Sequence, residues 1–308
     1  MTRRLLAAAI AGLFLAAGCA PPVDTGPGRM LSVLAADSME GRGLGTAGAA
    51  RAARYIASVL QEAGVPPAGD SAYFQRIAPR EVNVAALLPG RDPAVREQVI
   101  LVDAHFDHLG IGRPVNGDSI YNGADDDASG VVAVLEIARA LARDPPRRSV
   151  LFLLTTGEER GLVGTRWFLA HPIVPLDSIA ANLEIEMIGR PDGLLGPGRA
   201  WLTGYERSTM GPMFSAAGLA IVPDPRPLQR FFQRSDNIAF ARRGIPAHTL
   251  STFGLHGDYH RPSDEFDRID LNHLRSIIQT AIGAVKLLAN SDSLPVWKPG
   301  GQPAPRGN

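Results

Sequence analysis

The sequence between residues 99 and 107 reads Val99-Ile100-Leu101-Val102-Asp103-Ala104-His105-Phe106-Asp107. Four consecutive apolar residues are typical of a short strand that is buried on both faces of a sheet. Polar residues begin where this run ends, at the point where the strand should leave the core. In open sheets covered by helices, functional groups gather just beyond the carboxyl ends of the strands. The stretch therefore predicts both a central strand and a functional edge of the sheet.

Strands and helices alternate along the rest of the chain. Further apolar runs predict strands at 150–154, 179–188, 200–203 and 247–250. Apolar residues at helical spacing predict helices at 51–63, 128–143, 208–217 and 271–289. This alternation predicts an α/β fold of one domain, with a mixed, mainly parallel central sheet and helices on both faces.

The two ends of the chain differ in composition from the middle. Residues 1–18 carry two arginines and an apolar stretch too short to span a bilayer comfortably, which predicts an export signal peptide. Cys19 stands where a bacterial lipoprotein signal places its acylated residue; ordinary secretion with an incidental cysteine is the alternative. We expect 19–29 to be a lipidated tether, 30–289 the folded domain and 290–308 a disordered tail, because the tail is rich in Pro and Gly.

The composition excludes several classes of protein. Apolar residues make up 45% of the chain, which is ordinary for a globular protein and argues against wholesale disorder. A single cysteine excludes an internal disulfide framework and a CxxC zinc site. The 31 basic and 31 acidic side chains balance, so no overall charge favours nucleic acid as a partner. A lipid anchor at Cys19 would make a membrane facing the periplasm or exterior the expected location.

Acidic residues and histidines cluster where the predicted strands end. The following candidates lie at strand ends or in the loops that leave them: His105, Asp107, Asp125, Asp126, Asp127, Glu158, Glu159, Glu186 and His260. Taken one at a time, the aspartates and glutamates fit helix capping and the histidines fit structural roles. Taken together, three like charges between Gly and Ala are best relieved by a bound cation. Carboxylate and imidazole suit zinc, and also manganese or cobalt.

The spacing inside two of these groups supports a metal site. In His105-Phe106-Asp107, residues two apart on an extended segment point the same way. Asp107 can then accept the second ring N–H of a metal-binding His105 and fix its tautomer. In Glu158-Glu159, one carboxylate can bind metal while its neighbour stays free as a base.

Six motifs in the same order resemble the co-catalytic di-zinc aminopeptidase family, that of bacterial leucyl aminopeptidase and aminopeptidase Y. Glutamate carboxypeptidase and glutaminyl cyclase are its relatives. The motifs lie at 34–42, 103–107, 123–130, 156–164, 186–190 and 235–264, the last continuing through Gly254-Leu255-His256 and Asp258-Tyr259-His260. The resemblance runs from about Met30 to about Leu288 and implies the phosphorylase/hydrolase-like architecture of zinc exopeptidases.

The resemblance implies a role for each matching residue. Asp126 would bridge two zinc ions, with His105 and Glu186 completing one site and Glu159 and His260 the other. Glu158 would be the general acid/base, acting on a water shared by the two metals, and Asp107 the partner of His105. The family also has a cis peptide bond after the bridging aspartate, here Asp126-Asp127. The implied activity is removal of the N-terminal residue of a peptide substrate.

Some residues depart from the family pattern or match it weakly. Glu186 stands where many members have Asp. Phe232 lies at or near a position where some members carry a Tyr that hydrogen-bonds the substrate, and Phe cannot donate that bond. Asp127 and His256 are further candidates for substrate contact, and a structural role for His256 is an equal alternative. The four remaining histidines lack motif support and are expected to be structural or surface residues: His108, His171, His248 and His273.

Three alternatives to an aminopeptidase remain open. A carboxypeptidase or dipeptidase with the same centre would need a cation for the substrate carboxylate, and Arg190, Arg234 and Arg261 are candidates. A glutaminyl cyclase is less favoured, because the complete 123–130 segment indicates two metals. A non-catalytic peptide-binding lipoprotein is disfavoured by the presence of every ligand and of the base.

Overall fold

A computed structural model describes residues 26–305 as seven α-helices and ten strands joined by short turns. The helices are α1 (Pro27–Leu34), α2 (Ala47–Glu62), α3 (Gly130–Arg143), α4 (Val163–Ala170), α5 (Met210–Ala216), α6 (Asn237–Ala241) and α7 (Leu271–Asn290). The strands are β1 (Phe74–Ala78), β2 (Glu81–Leu88), β3 (Val99–His105), β4 (Gly110–Val115), β5 (Asp118–Tyr121), β6 (Ser149–Thr155), β7 (Ile179–Glu186), β8 (Ala200–Leu202), β9 (Ile221–Pro223) and β10 (Ala247–Ser251).

Eight strands form one sheet, in the order β1-β2-β6-β3-β7-β10-β8-β9. The four central strands, β6, β3, β7 and β10, run parallel, while β1, β2 and β8 add antiparallel pairs on either side. Strands β4 and β5 form a separate hairpin. The expected mixed, mainly parallel sheet is therefore confirmed.

Helices cover both faces of this sheet, as the buried strands require. Every residue of β3 and β6 is buried. On one face the core packs against α1, α2, α3 and α7, and on the other against α4 and α6. In parallel strands covered in this way, the carboxyl ends open at one edge of the sheet. His105 is the last residue of β3 and Glu186 the last of β7, so these two side chains emerge at that edge.

The N-terminal part of the domain begins earlier than expected. The predicted signal segment 1–18 and Cys19 lie outside the described residues, so lipidation stays a prediction. Pro27 begins α1, so the last residues of the expected 19–29 tether are helical. Proline suits this first helical position because it has no N–H to satisfy and its φ is already helical. No helix among residues 26–305 is long and apolar enough to cross a membrane.

The expected disorder of 290–308 is wrong for residues up to 305. Beyond α7 the chain returns across the domain, where Lys298 N–H donates to the carbonyl of Arg207 and Thr209 N–H donates to that of Val296. The Trp297 indole donates to the carbonyl of Gly244. Its high Pro and Gly content therefore marks an irregular segment that the domain surface holds in place.

Candidate metal centre

Three strand ends and two loops bring the predicted ligands together. His105 and Glu186 end adjacent parallel strands, and Glu159 follows the neighbouring strand β6. Asp126 comes from the loop that precedes α3, and His260 from the loop that follows β10. All five residues proposed as ligands therefore meet at the carboxyl edge of the sheet.

The two carboxylate oxygens of Asp126 face two different groups of side chains. Oδ1 lies 3.3 Å from His105 Nε2, which is itself 4.0 Å from Glu186 Oε1. Oδ2 lies 3.1 Å from His260 Nε2, which is also 3.1 Å from Glu159 Oε1. One carboxylate thus joins two sets of nitrogen and oxygen donors, as the resemblance implied.

Three of the candidate ligand atoms lack hydrogen-bond partners in the described part of the chain. His105 Nε2, Asp126 Oδ2 and Glu159 Oε1 are all buried and without a partner. Buried polar atoms are normally paired, because an unpaired one costs about 1–3 kcal/mol. Imidazole nitrogen and carboxylate oxygen are the donors that zinc prefers when cysteine is absent. The residues therefore fit zinc.

Asp264 accepts hydrogen bonds that fix the loop carrying Asp126. The Asp264 carboxylate accepts from the backbone N–H groups of Asp125 (3.0 Å) and Asp126 (3.1 Å). Arg190 binds Asp258 at 2.7 Å and Asp264 at 3.4 Å. The peptide bond between Asp126 and Asp127 is cis, as expected from the resemblance.

Arg42, from the 34–42 motif, supports the loop that carries Asp126 through hydrogen bonds. Its side chain is fully buried. The guanidinium donates to four backbone carbonyls at 2.6–2.8 Å, those of Leu34, Phe106, Asn122 and Gly123. Two of these carbonyls directly precede the aspartate loop, residues 124–129, and one follows His105. The 34–42 motif therefore supports the metal centre through this arginine.

A deeper layer of carboxylates anchors the Ser235-Asp236 motif. Asp103 and Glu184 stand two residues before His105 and Glu186, on the same strands, and with Asp236 they form a fully buried group. Glu184 accepts hydrogen bonds from the backbone N–H groups of Asp236 (3.1 Å) and Asn237 (3.0 Å). These bonds attach the segment before α6 to the centre of the sheet.

Glu158 has the environment expected of a general base. Its backbone N–H donates to Asp107 Oδ1 at 3.1 Å, which ties it to the loop after His105. Burial raises the pKa of Glu158 well above its usual value, and neighbouring carboxylates add to the effect while His105 opposes it. A carboxylate with a raised pKa is suited to taking a proton and then giving it back.

Asp107 supports His105 differently from the expectation. His105 Nδ1 hydrogen-bonds the backbone carbonyl of Asp107 at 3.1 Å, whereas the Asp107 carboxylate is 3.8 Å away. Burial raises the pKa of this carboxyl to about 7 although His105 opposes the rise. The residue therefore fixes the His105 tautomer through its main chain and holds Glu158 through its side chain.

Asp127 and His256 serve the aspartate loop. Asp127 Oδ1 accepts from the N–H groups of Gly130 and Met187, both at 3.0 Å, so it caps α3 and contradicts the expectation of substrate contact. His256 Nε2 lies 3.0 Å from Asp125 Oδ2, which favours its structural alternative.

Phe232 is also not a substrate contact, because it points into the core. It is 6% exposed and packs against His248 and Trp297. A tight helical turn spans Phe231–Gln233, and it directs neighbouring side chains to different sides. Phe231 is the residue that reaches the cavity beside Glu186.

His108 is the residue that sequence reasoning missed. Expected to be structural or on the surface, it lies with Nδ1 3.0 Å from Glu159 Oε1 and 3.7 Å from Asp126 Oδ2. Its position three residues after His105, in the same strand-end loop, was the available signal. The other three histidines without motif support do not join this group of donors.

A family model matches this domain. The model describes peptidase family M28, and it matches residues 83–285, which include all five residues proposed as ligands. The chain belongs to peptidase family M28. Its fold and family therefore confirm the resemblance that the six motifs carry.

Curated relatives in this family include two fungal proteins named as leucine aminopeptidases. A probable leucine aminopeptidase 2 of Aspergillus oryzae is 31% identical over 182 residues, which is 55% of this chain and 33% of that protein. A probable leucine aminopeptidase 1 of Trichophyton verrucosum is 25% identical over 258 residues, covering 77% of this chain and 68% of that protein. The matched region thus spans about a third of the first relative.

Solved structures share the fold at low identity. The LapA aminopeptidase of Legionella pneumophila aligns with a TM-score of 0.67 and 21% identity, over 86% of this chain and 71% of that chain. BSAP, a zinc aminopeptidase from Bacillus subtilis, aligns with a TM-score of 0.65 and 13% identity, over 87% of this chain and 95% of that chain. These alignments show that the architecture is that of zinc exopeptidases.

Proposed function

We propose that the chain is a zinc-dependent aminopeptidase that holds two zinc ions and removes the N-terminal residue of peptides. The observation that carries this proposal is the position of Asp126, whose Oδ1 faces His105 and whose Oδ2 faces Glu159 and His260. The names of the fungal relatives and the zinc exopeptidase architecture support the same reaction class.

Zinc in such a site supplies Lewis acidity, which polarises a carbonyl and lowers the pKa of water. The protein's contribution is to hold the ligands in the right orientation and tautomer. In the neutral ring of His105, Nδ1–H donates to the carbonyl of Asp107, which leaves the lone pair of Nε2 directed at Asp126 and Glu186. Five protein ligands, three of them carboxylates, would hold the two ions.

Glu158 is the residue that moves the proton. It takes a proton from the attacking water and passes it to the leaving amine of the cleaved peptide bond. Its bond to Asp107 keeps the carboxylate beside the ligands, and its raised pKa lets it hold the proton between the two steps.

The cavity beside Glu186 is suited to the side chain of the first residue of the substrate. Four of its walls are aromatic rings, those of Trp201, Phe231, Phe253 and Tyr259, and Arg234 lines it as well. Aromatic walls favour an apolar side chain by burying its surface. We therefore propose peptides with an apolar N-terminal residue as the preferred substrates.

One of the candidate arginines is not free to bind the C-terminal carboxylate that a carboxypeptidase would recognise. Arg190 is already engaged by Asp258 and Asp264. Arg234 lines the aromatic cavity beside Glu186, and its guanidinium carbon lies 5.1 Å from the centre of the Phe231 ring. There it could contact a substrate carboxylate. Cleavage of an N-blocked dipeptide with a free carboxylate would reveal such a role.

The test is to assay the purified chain on leucyl-p-nitroanilide, on its N-acetylated form and on an N-blocked dipeptide with a free carboxylate. We expect release from the free amine only, abolished by a chelator and restored by zinc. Cleavage of the N-acetylated anilide would overturn the aminopeptidase assignment. Release of the C-terminal residue from the N-blocked dipeptide would favour the carboxypeptidase alternative.

We also propose that the domain is exported and anchored through an acyl group on Cys19. The lipoprotein-like segment before that cysteine supports this location. Mass spectrometry of the N-terminus of the mature protein tests it. An acylated Cys19 at the N-terminus is expected, and cleavage at another residue without lipid would leave ordinary secretion.

A further inference from the structure

His108 occupies a position that the five-ligand centre does not explain. It lies in the loop after β3 and is 2% exposed. Neither of its ring nitrogens makes a well-aligned hydrogen bond within residues 26–305, although Nδ1 lies 3.0 Å from Glu159 Oε1. A buried imidazole without partners is costly, so a nitrogen directed at a metal site would have a physical reason to be there.

The surroundings of His108 hold its ring against the metal centre. Gly123 adopts φ +57°, and a Cβ added there would lie 2.6 Å from His108 Cγ and 2.1 Å from the carbonyl oxygen of Asp126. Only glycine at this position lets the aspartate loop and the imidazole pack so closely. The close packing of the loop against the imidazole therefore fixes the position of the His108 ring.

His108 and His260 approach the same two carboxylate oxygens. The separations from Glu159 Oε1 and Asp126 Oδ2 are 3.0 and 3.7 Å for His108 Nδ1, and 3.1 and 3.1 Å for His260 Nε2. Donors arranged tetrahedrally about zinc at about 2.0–2.1 Å are separated by roughly 3.3 Å. The four separations scatter around this value, as expected for ligands of one ion.

We propose that His108 Nδ1 is a fourth protein ligand of the zinc held by Asp126, Glu159 and His260. This inference rests on the proposed two-zinc centre and deepens it. The two sites then differ, because the other ion has only His105, Asp126 and Glu186 as protein ligands. Zinc sites with four protein ligands are typically closed, whereas sites with three keep a position for substrate or water. The ion held by His105, Asp126 and Glu186 would therefore be the one that keeps an open position for substrate or water.

The first test is a titration of the metal-free full chain with zinc, in which calorimetry measures the affinity of each binding event. Wild type should bind two zinc ions in two events of different affinity. In His108→Gln the tighter event should weaken at least about tenfold while the other is unchanged. His171→Gln, which alters an exposed histidine stacked on Trp167, is the matched control and should match wild type.

The second test does not depend on a variant and uses wild type loaded with one equivalent of zinc. Its X-ray absorption spectrum should show two imidazole ligands, His108 and His260. One imidazole would overturn the proposal even if His108→Gln weakened binding, because His108 would then be a positioning residue that acts through Glu159. Two bound zinc ions with equal affinities in wild type and His108→Gln would also overturn it and leave the proposed function intact. A wild type that binds no zinc would instead contradict the proposed function itself.

Discussion

At the scale of single residues, Glu158 and Glu159 show how adjacent carboxylates acquire different tasks. Glu159 Oε1 lies within 3.1 Å of two histidine nitrogens, whereas the Glu158 backbone is held by Asp107 and its carboxylate has a raised pKa. Neighbouring residues in a loop project in different directions, so one can bind metal while the other acts as a base.

Replacing Glu158 by glutamine removes the base and keeps the shape of the side chain. We expect Glu158→Gln to lower kcat by about 10²–10⁴-fold, because general acid–base catalysis is worth that much. Its zinc content should equal that of wild type, since Glu158 is not a ligand. Glu97→Gln, at a carboxylate that is 88% exposed, is the control and should leave kcat unchanged. A Glu158→Gln enzyme with wild-type kcat would contradict the assignment.

Protonation of His260 couples metal binding to pH. Burial alone would lower its pKa, but contact with Asp126 and Glu159 outweighs burial and raises the pKa to about 10. Below pH 10 the metal-free ring therefore carries a proton, and it must lose that proton to bind zinc. Zinc affinity should rise with pH up to about 10.

Calorimetry at pH 8 in two buffers of different ionisation enthalpy measures this release. We expect the enthalpy of zinc binding to depend on the buffer, with at least one proton released per chain, and the release to be smaller in His260→Ala. Identical enthalpies in the two buffers would show that no proton leaves and would contradict this account.

At the scale of elements, the segment before α2 and the aspartate loop act as one unit through Arg42. Four carbonyls from three separate segments converge on its guanidinium. Removing it would leave those buried carbonyls without donors, at about 1–3 kcal/mol each for groups that find no substitute.

We expect Arg42→Met to lower the free energy of unfolding by at least about 3 kcal/mol. Arg51→Met is the matched control, because Arg51 makes only an exposed bond to Ser38 and a surface ion pair with Glu40, worth about 0–1 kcal/mol. Urea unfolding measures both. Equal losses in the two variants would mean that Arg42 does not support the loop.

Sequence reasoning predicted the elements that touch the site more completely than the parts that depend on distant contacts. The apolar runs at β3 and β6 and the helical spacing of α3 and α7 are local signals, and all four elements are present. Strand β1 lies at the antiparallel edge of the sheet and is partly exposed, so no continuous apolar run marks it. Strand β2 contains the apolar run 84–88, which was not predicted to be a strand.

The candidate site was predictable where a motif marked it. His105, Asp126, Glu159, Glu186 and His260 meet at one edge because parallel strands end there. His108 looked like an ordinary histidine, since only the fold brings it near Glu159. The direction in which the Phe232 side chain points could not be predicted from the sequence either, because a single tight turn decides whether Phe231 or Phe232 enters the cavity.

At the scale of the whole molecule, the C-terminal segment beyond α7 packs against the domain through Trp297. The Trp297 ring packs edge-on against Phe232 and at a tilt against His248, at ring separations of 6.3 and 5.5 Å, and its indole N–H donates to the carbonyl of Gly244. Composition alone predicted disorder here, because the order of this segment comes from contacts with residues some 50–90 positions away.

Removing the indole should destabilise the domain. We expect Trp297→Ala to lower the free energy of unfolding by about 1–3 kcal/mol, less than for a fully buried aromatic because Trp297 is half-buried. Val296→Ala is the control at the adjacent residue, which is 56% exposed, and should cost little. Equal stability of Trp297→Ala and wild type in urea would show that the segment does not stabilise the domain, as its predicted disorder implied.

The arrangement of the whole centre follows from one carboxylate facing two sets of donors. Its most direct test is the number of zinc ions per chain, measured by inductively coupled plasma mass spectrometry after dialysis against dilute zinc and then zinc-free buffer. The donor geometry predicts two zinc ions per chain. One zinc ion or none would contradict it.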